Sequence, residues 1–172
     1  MMRCDPFPGC GILPALSVPH QIVTLRLAAA LLAHVEIRKL GHLLFAPCNV
    51  IFSRDTMVQP DIFFVRKERS GLIGEMSVQG APDMVIEVLS PQSHERELRF
   101  KTSVYSRFSV HEYWIADPGN RTIEILVWSE IGYISAGLFG ATDSLQSISF
   151  PKLVLPLRKV FRNLGTRKGV NG

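Results

Sequence analysis

At 172 residues, with 47% hydrophobic and 20% charged residues, 11 prolines and 13 glycines, the chain has the length and balance of one globular domain, which excludes a wholly disordered, collagen-like or coiled-coil protein and removes the need for covalent staples. The net charge of +4 comes from the end of the chain: residues 152–172 hold six basic residues and no acid, leaving the rest at −2. Charge alone therefore makes no case for a nucleic-acid-binding body, and the tail reads as a solubilising end that can also touch phosphates.

Residues 1–18 are punctuated by proline and glycine without a period and read as an irregular arm. A helix is expected over 19–40, with Ile22, Leu25, Ala29, Leu32 and Val35 on its inner face, Ser17 as cap and Gly41 as stop. The longest apolar run, 27–33, lies between Arg26 and His34, well short of the roughly 18 residues that span a bilayer, so no membrane association is expected. Nor does the start read as a signal peptide. Cys4, Cys10 and Cys48 are odd in number and lack a framework spacing, which suits a reducing cytoplasm.

Short strands are expected over 43–46, 49–52 and 61–65, with a turn at 53–55. A polar connection with room for a short helix covers 67–80. The strongest strand is 84–89, so continuously apolar that burial on both faces is expected. A second helix spans 94–108, with Leu98, Thr102, Tyr105 and Phe108 inward. A central strand at 112–116, a turn at 117–120 and a hairpin of 122–128 with 132–138 follow. Apolar stretches at 154–157 and 160–161 close the core and offer a homodimer face. Helices interleaved with strands predict an α/β domain, bordering on α+β, with a mixed central sheet flanked by helices. Its bounds are 19–161, between the arm 1–18 and the basic tail 162–172.

Glu87 is the anomaly. It is an acid inside the most apolar strand, a costly place for a charge without a partner or a metal. Asp61 and Asp83 each open a strand after a proline. Lys101, 14 residues past Glu87, lies on the inward side of the second helix. Two carboxylates and a lysine at a sheet edge are the parts of a magnesium-dependent phosphodiester hydrolase. Each also has a plainer role: Asp61 and Asp83 as turn caps, Glu87 as the partner of Arg99 or Arg107, Lys101 as a solvated lysine. Trp114 and Trp128 read as core or dimer residues rather than base-stacking platforms.

Pro60-Asp61-Ile62-Phe63-Phe64-Val65, then Gly80-Ala81-Pro82-Asp83-Met84-Val85-Ile86-Glu87-Val88-Leu89-Ser90-Pro91, then Lys101 and Tyr105, then Val110-His111-Glu112-Tyr113-Trp114-Ile115-Ala116-Asp117-Pro118 together resemble the putative restriction endonuclease family of the PD-(D/E)XK nuclease superfamily. The family was long classed as a domain of unknown function. The likeness runs from about Pro14 to Phe161. It implies a restriction-endonuclease-like fold and Mg2+-dependent hydrolysis of phosphodiesters in DNA, with Mn2+ as a substitute. By resemblance Asp61 and Glu87 bind the metal and Lys101 completes the catalytic set, moved onto the helix from the position two past the glutamate, here Leu89. Asp83, Tyr105 and His20 are supporting candidates, Tyr105 by hydrogen bonding to the lysine one turn away. Upstream of the first helix the chain has Asp5-Pro6-Phe7-Pro8-Gly9-Cys10 where family members carry an acidic, glycine-turned strand pair. The alternative reading is a non-catalytic dimer of the same fold that binds nucleic acid or protein.

Overall fold

The computed structural model of the chain describes residues 17–90, 95–150 and 152–164. Most of the arm and most of the tail lie outside them, and Val18, assigned to the arm, already belongs to the first helix. Helix α1 (Val18–Arg38) is followed by β1 (Gly41–Phe45), β2 (Asn49–Ser53), β3 (Thr56–Val58) and β4 (Ile62–Arg66). A 3-10 turn over Lys67–Leu72, within the connection expected to hold a short helix, leads to β5 (Ser77–Gln79) and β6 (Met84–Val88). Then come α2 (Glu95–Arg107), β7 (Glu112–Asp117), β8 (Thr122–Ser129), β9 (Gly132–Gly140), β10 (Ser144–Leu145), β11 (Leu155–Pro156) and α3 (Leu157–Phe161).

Six strands form one mixed sheet in the order β1-β4-β6-β7-β8-β9. All neighbours are antiparallel except β6 and β7, the pair joined through α2, since parallel strands need a crossover. A smaller sheet, β3-β2-β5, lies beside it. Side chains alternate across the large sheet. Ile62, Phe64, Met84, Ile86, Val88 and Trp114 share a core with α1 and α3, while Phe63, Val65, Val85 and Tyr113 share the opposite core with α2 and the small sheet. The mixed sheet flanked by helices is the expected α/β architecture, and β6 is buried along its whole length.

Three expectations are corrected. First, α1 is rotated from the expected face: Val35 is buried as expected, but it is joined by Val23, Leu27 and Leu31, whereas Leu25 is 70% exposed and Leu32 also faces outward. The helix is apolar nearly all round, so several phases fit its periodicity and the sheet decides among them. At 21 residues it is by length and composition long and apolar enough to cross a membrane; interruption by Arg26 and His34 hides this from a count of consecutive apolar residues. Second, α1 stops at Lys39, which takes the left-handed conformation. Gly41 serves β1 instead, where a Cβ would collide with the Val65 carbonyl oxygen. Third, the closing segment leaves little apolar surface for a dimer face: Leu153, Leu155, Leu157, Val160 and Phe161 are buried in the core, and Val154 is the large apolar side chain it exposes. The Ser17 cap forms as expected, its Oγ accepting from the His20 amide.

Candidate active site

The register of β4 against β6 builds the site. Ile62 stands opposite Ile86 in an antiparallel pair, so the residue just before β4 lies beside the end of β6. Asp61 is there, and its Oδ2 accepts from the Val88 amide at 2.7 Å. Glu87, adjacent in chain, points by strand alternation toward α2.

Helix α2 answers it with two side chains one turn apart. Lys101 Nζ donates to Glu87 Oε2 at 2.8 Å, and the Tyr105 hydroxyl donates to Glu87 Oε1 at 2.6 Å. The i, i+4 spacing brings both onto one helix face. Tyr105 therefore supports the acid rather than the lysine. Lys101 also donates to the Gln59 carbonyl oxygen at 3.2 Å and lies 3.7 Å from Glu97. The arginines offered as partners for Glu87 are engaged elsewhere: Arg99 with Glu95, and Arg107 over the Phe108 ring.

His20, in the first turn of α1, is 3% exposed and sets its Nε2 3.2 Å from Asp61 Oδ2. Asp61 Oδ1 takes no hydrogen bond among the described residues. Asp83 does not join this group. The antiparallel pairing that brings Asp61 to the end of β6 leaves Asp83 at its start. There it accepts from the Arg66 amide and from Arg69, each at 2.8 Å, and serves as a structural latch.

Burial dominates the electrostatics. It raises the Glu87 carboxyl to about 7; Lys101 works in the opposite direction, and the nearby Asp61 charge adds to the rise. Burial works against the Lys101 ammonium, but the Glu87 charge and hydrogen bond outweigh it and hold the lysine above its ordinary value. Burial, followed by Glu87, raises Tyr105 well above a free phenol, so its hydroxyl keeps its proton to donate.

A consequence is testable without substrate. Between pH 4.5 and about 7 the folded state holds a proton on Glu87 that the unfolded chain has released, so stability falls as pH rises through that window. In chelator-treated protein the melting temperature is expected to fall from about pH 5 to about pH 8, with a shallower fall in Glu87→Gln. Equal slopes in the two proteins would contradict the assignment.

Among the described residues no group of three or more His, Cys, Asp or Glu side chains is placed to hold a metal. The side chains available at this site are two carboxylates, Asp61 and Glu87. That donor set fits a hard, hydrated cation such as magnesium, which takes one or two carboxylates and fills its remaining positions with water and substrate phosphate. A cation would also offset the cost of charge on the buried Glu87.

The chain is thus a mixed α/β protein of nuclease-like fold, with two carboxylates and a lysine at one end of β4 and β6. The model of the Uma2 family, described as "Putative restriction endonuclease", matches residues 11–158; the chain belongs to this family, consistent with a PD-(D/E)XK-like fold. Among solved structures, a putative nuclease from Anabaena variabilis, of a family of unknown function, matches with a TM-score of 0.71 and 18% identity, covering 86% of this chain and 83% of that one. At that identity the likeness speaks to the fold. No curated protein matches the chain. Family membership supports nuclease function.

Proposed function

We propose that the protein is a metal-dependent endonuclease that hydrolyses phosphodiester bonds in DNA. The observation that carries this reading is the convergence of Asp61, Glu87 and Lys101 at one end of β4 and β6, with Lys101 reaching Glu87 from α2. Asp61 and Glu87 would hold Mg2+, or Mn2+ in its place. When bound, the ion polarises a phosphoryl oxygen and acidifies a water.

The chain's own groups account for the rest. The Val88 amide and His20 fix Asp61, and Tyr105 fixes one oxygen of Glu87, so both carboxylates are oriented before substrate arrives. Lys101 supplies a positive charge at Glu87, where it can stabilise negative charge that grows on the phosphoryl oxygens during in-line displacement. The pair of α2 residues thus divides the work, Tyr105 orienting the acid and Lys101 serving the reacting charge.

The test is calorimetric titration with MgCl2, wild type against Glu87→Ala, alongside nicking of supercoiled plasmid. Binding in the wild type, its loss in the variant and nicking only with metal are the expected results. Absence of metal binding with and without DNA present would overturn the reading and favour a non-catalytic nucleic-acid or protein binder of the same fold.

A further inference from the structure

Beside Asp61 a cavity of about 310 Å³ opens between α1 and the end of β1. One wall is a face of α1, with Gln21, Leu25 and Ala28; the other is Phe45 and Ala46; Asp61 and His20 complete the lining. The cavity and the candidate active site share a residue directly. The Ala46 amide donates to the Asp61 carbonyl oxygen at 3.1 Å, and Phe45 pairs with Ile62, the next residue in the chain. A phosphodiester held at Asp61 would therefore have its neighbouring nucleoside beside this cavity.

The lining has the chemistry of a base rather than of a sugar-phosphate. Phe45 is 63% exposed and Leu25 is 70% exposed, two large apolar side chains left uncovered on facing walls. Among the described residues the only ionisable side chains in the lining are Asp61 and His20, which pair with each other, so no Lys or Arg among them is placed there for a phosphate. Gln21 supplies both a donor and an acceptor, and Thr24, whose proton goes to the His20 carbonyl oxygen, supplies an acceptor, which suits the edge of a nucleobase. An aromatic face beside a short polar set is how single strands are held, because every base has a π-face to stack and a paired base does not leave its duplex without cost.

We propose that this cavity is a nucleobase subsite. It takes the unpaired base next to the scissile phosphate, stacked on Phe45, and gives the protein a preference for single-stranded or locally unpaired DNA over intact duplex. The inference rests on the nuclease reading for its substrate class, and its test is a binding measurement made without metal, so that the two stand or fall separately.

Anisotropy titrations in EDTA compare a fluorescein-labelled 12-nucleotide DNA strand with the same strand in duplex, for wild type, Phe45→Ala and Phe45→Trp. The wild type is expected to favour the single strand. Phe45→Ala should lose roughly tenfold on the single strand with no change on the duplex, and Phe45→Trp should restore the affinity. Because Phe45 is largely solvent-exposed, these variants keep the fold, and matching melting curves verify that. An equal loss on both DNAs, no loss, or no measurable binding to either DNA overturns the proposal. So does a wild type that elutes as a dimer and a Phe45→Ala variant that elutes as a monomer, since a second copy would then cover the cavity. Should single-strand binding depend on Phe45 while no metal-dependent cleavage is found, the subsite stands and the catalytic reading fails.

Discussion

Lys101→Met is expected to reduce metal-dependent DNA cleavage by about 10²–10³-fold while leaving the fold intact, the usual effect of deleting one group that stabilises transition-state charge. The substitution keeps an unbranched apolar side chain of similar reach, with sulfur in place of one methylene, and removes the ammonium. In the wild type the Lys101 side chain is 15% exposed and its ammonium contacts Glu87, Glu97 and the Gln59 carbonyl. Without it Glu87 loses its nearby positive charge and shifts further toward the protonated form. Tyr105 still holds the acid, and a protonated Glu87 is a tolerable buried group, so near-UV circular dichroism and the melting transition should survive. The measurement is the single-turnover cleavage rate at saturating metal, together with metal affinity by calorimetry. A rate collapse larger than the loss of metal binding places Lys101 on the reacting charge. A rate that falls only in step with metal occupancy would reduce it to a partner of Glu87. An unchanged rate would remove it from the site.

The residues that converge here were legible in the sequence because each breaks a local rule. An acid in the strand of Met84–Val88 has no place in a hydrophobic core unless something meets it, and Lys101 and Tyr105, one turn apart on the following helix, are the groups in reach. Asp83 looked equivalent to Asp61, since both follow a proline and open a strand. They separate because β4 and β6 run antiparallel, a relation that spacing along the chain does not encode. The Gln59 contact was beyond reach for another reason: it is made by a backbone carbonyl, which any residue type supplies. The face of α1 was misjudged because Leu25 and Leu32 fit a helical period as well as Val23, Leu27 and Leu31 do; only the position of the sheet distinguishes them.

The second acid in the sheet escaped notice although it obeys the same logic as Glu87. Glu112 begins β7, where a charge looks like a solvated strand end, yet it is fully buried. Its Oε1 accepts from Trp114 Nε1 at 2.7 Å, and its Oε2 accepts from the Ser149 amide at 2.6 Å and from the Ser147 hydroxyl at 3.0 Å. These bonds fasten the segment around Ser147 and Ser149 to the sheet just before Phe150, whose ring packs 4.7 Å from that of Phe64. Glu112→Ala strips partners from a buried indole N–H and a buried amide at once. At about 1–3 kcal/mol for each of these two orphaned groups, the expected loss is about 2–6 kcal/mol, or roughly 10 °C in melting temperature for a chain of this size. Glu112→Gln should recover only part of it. The amide oxygen can face Ser149 or Trp114 but not both, and its NH2 then meets a second donor. Pairing Glu112→Gln with Trp114→Phe removes the competing indole donor, so in urea melts the double variant should lose less than the sum of the single losses. Strict additivity would show that the indole and the carboxylate are not coupled. Below the melting transition, metal affinity should match wild type, because Glu112 lies at the start of β7, opposite the start of β6 that carries Asp83 and not beside the Asp61 end.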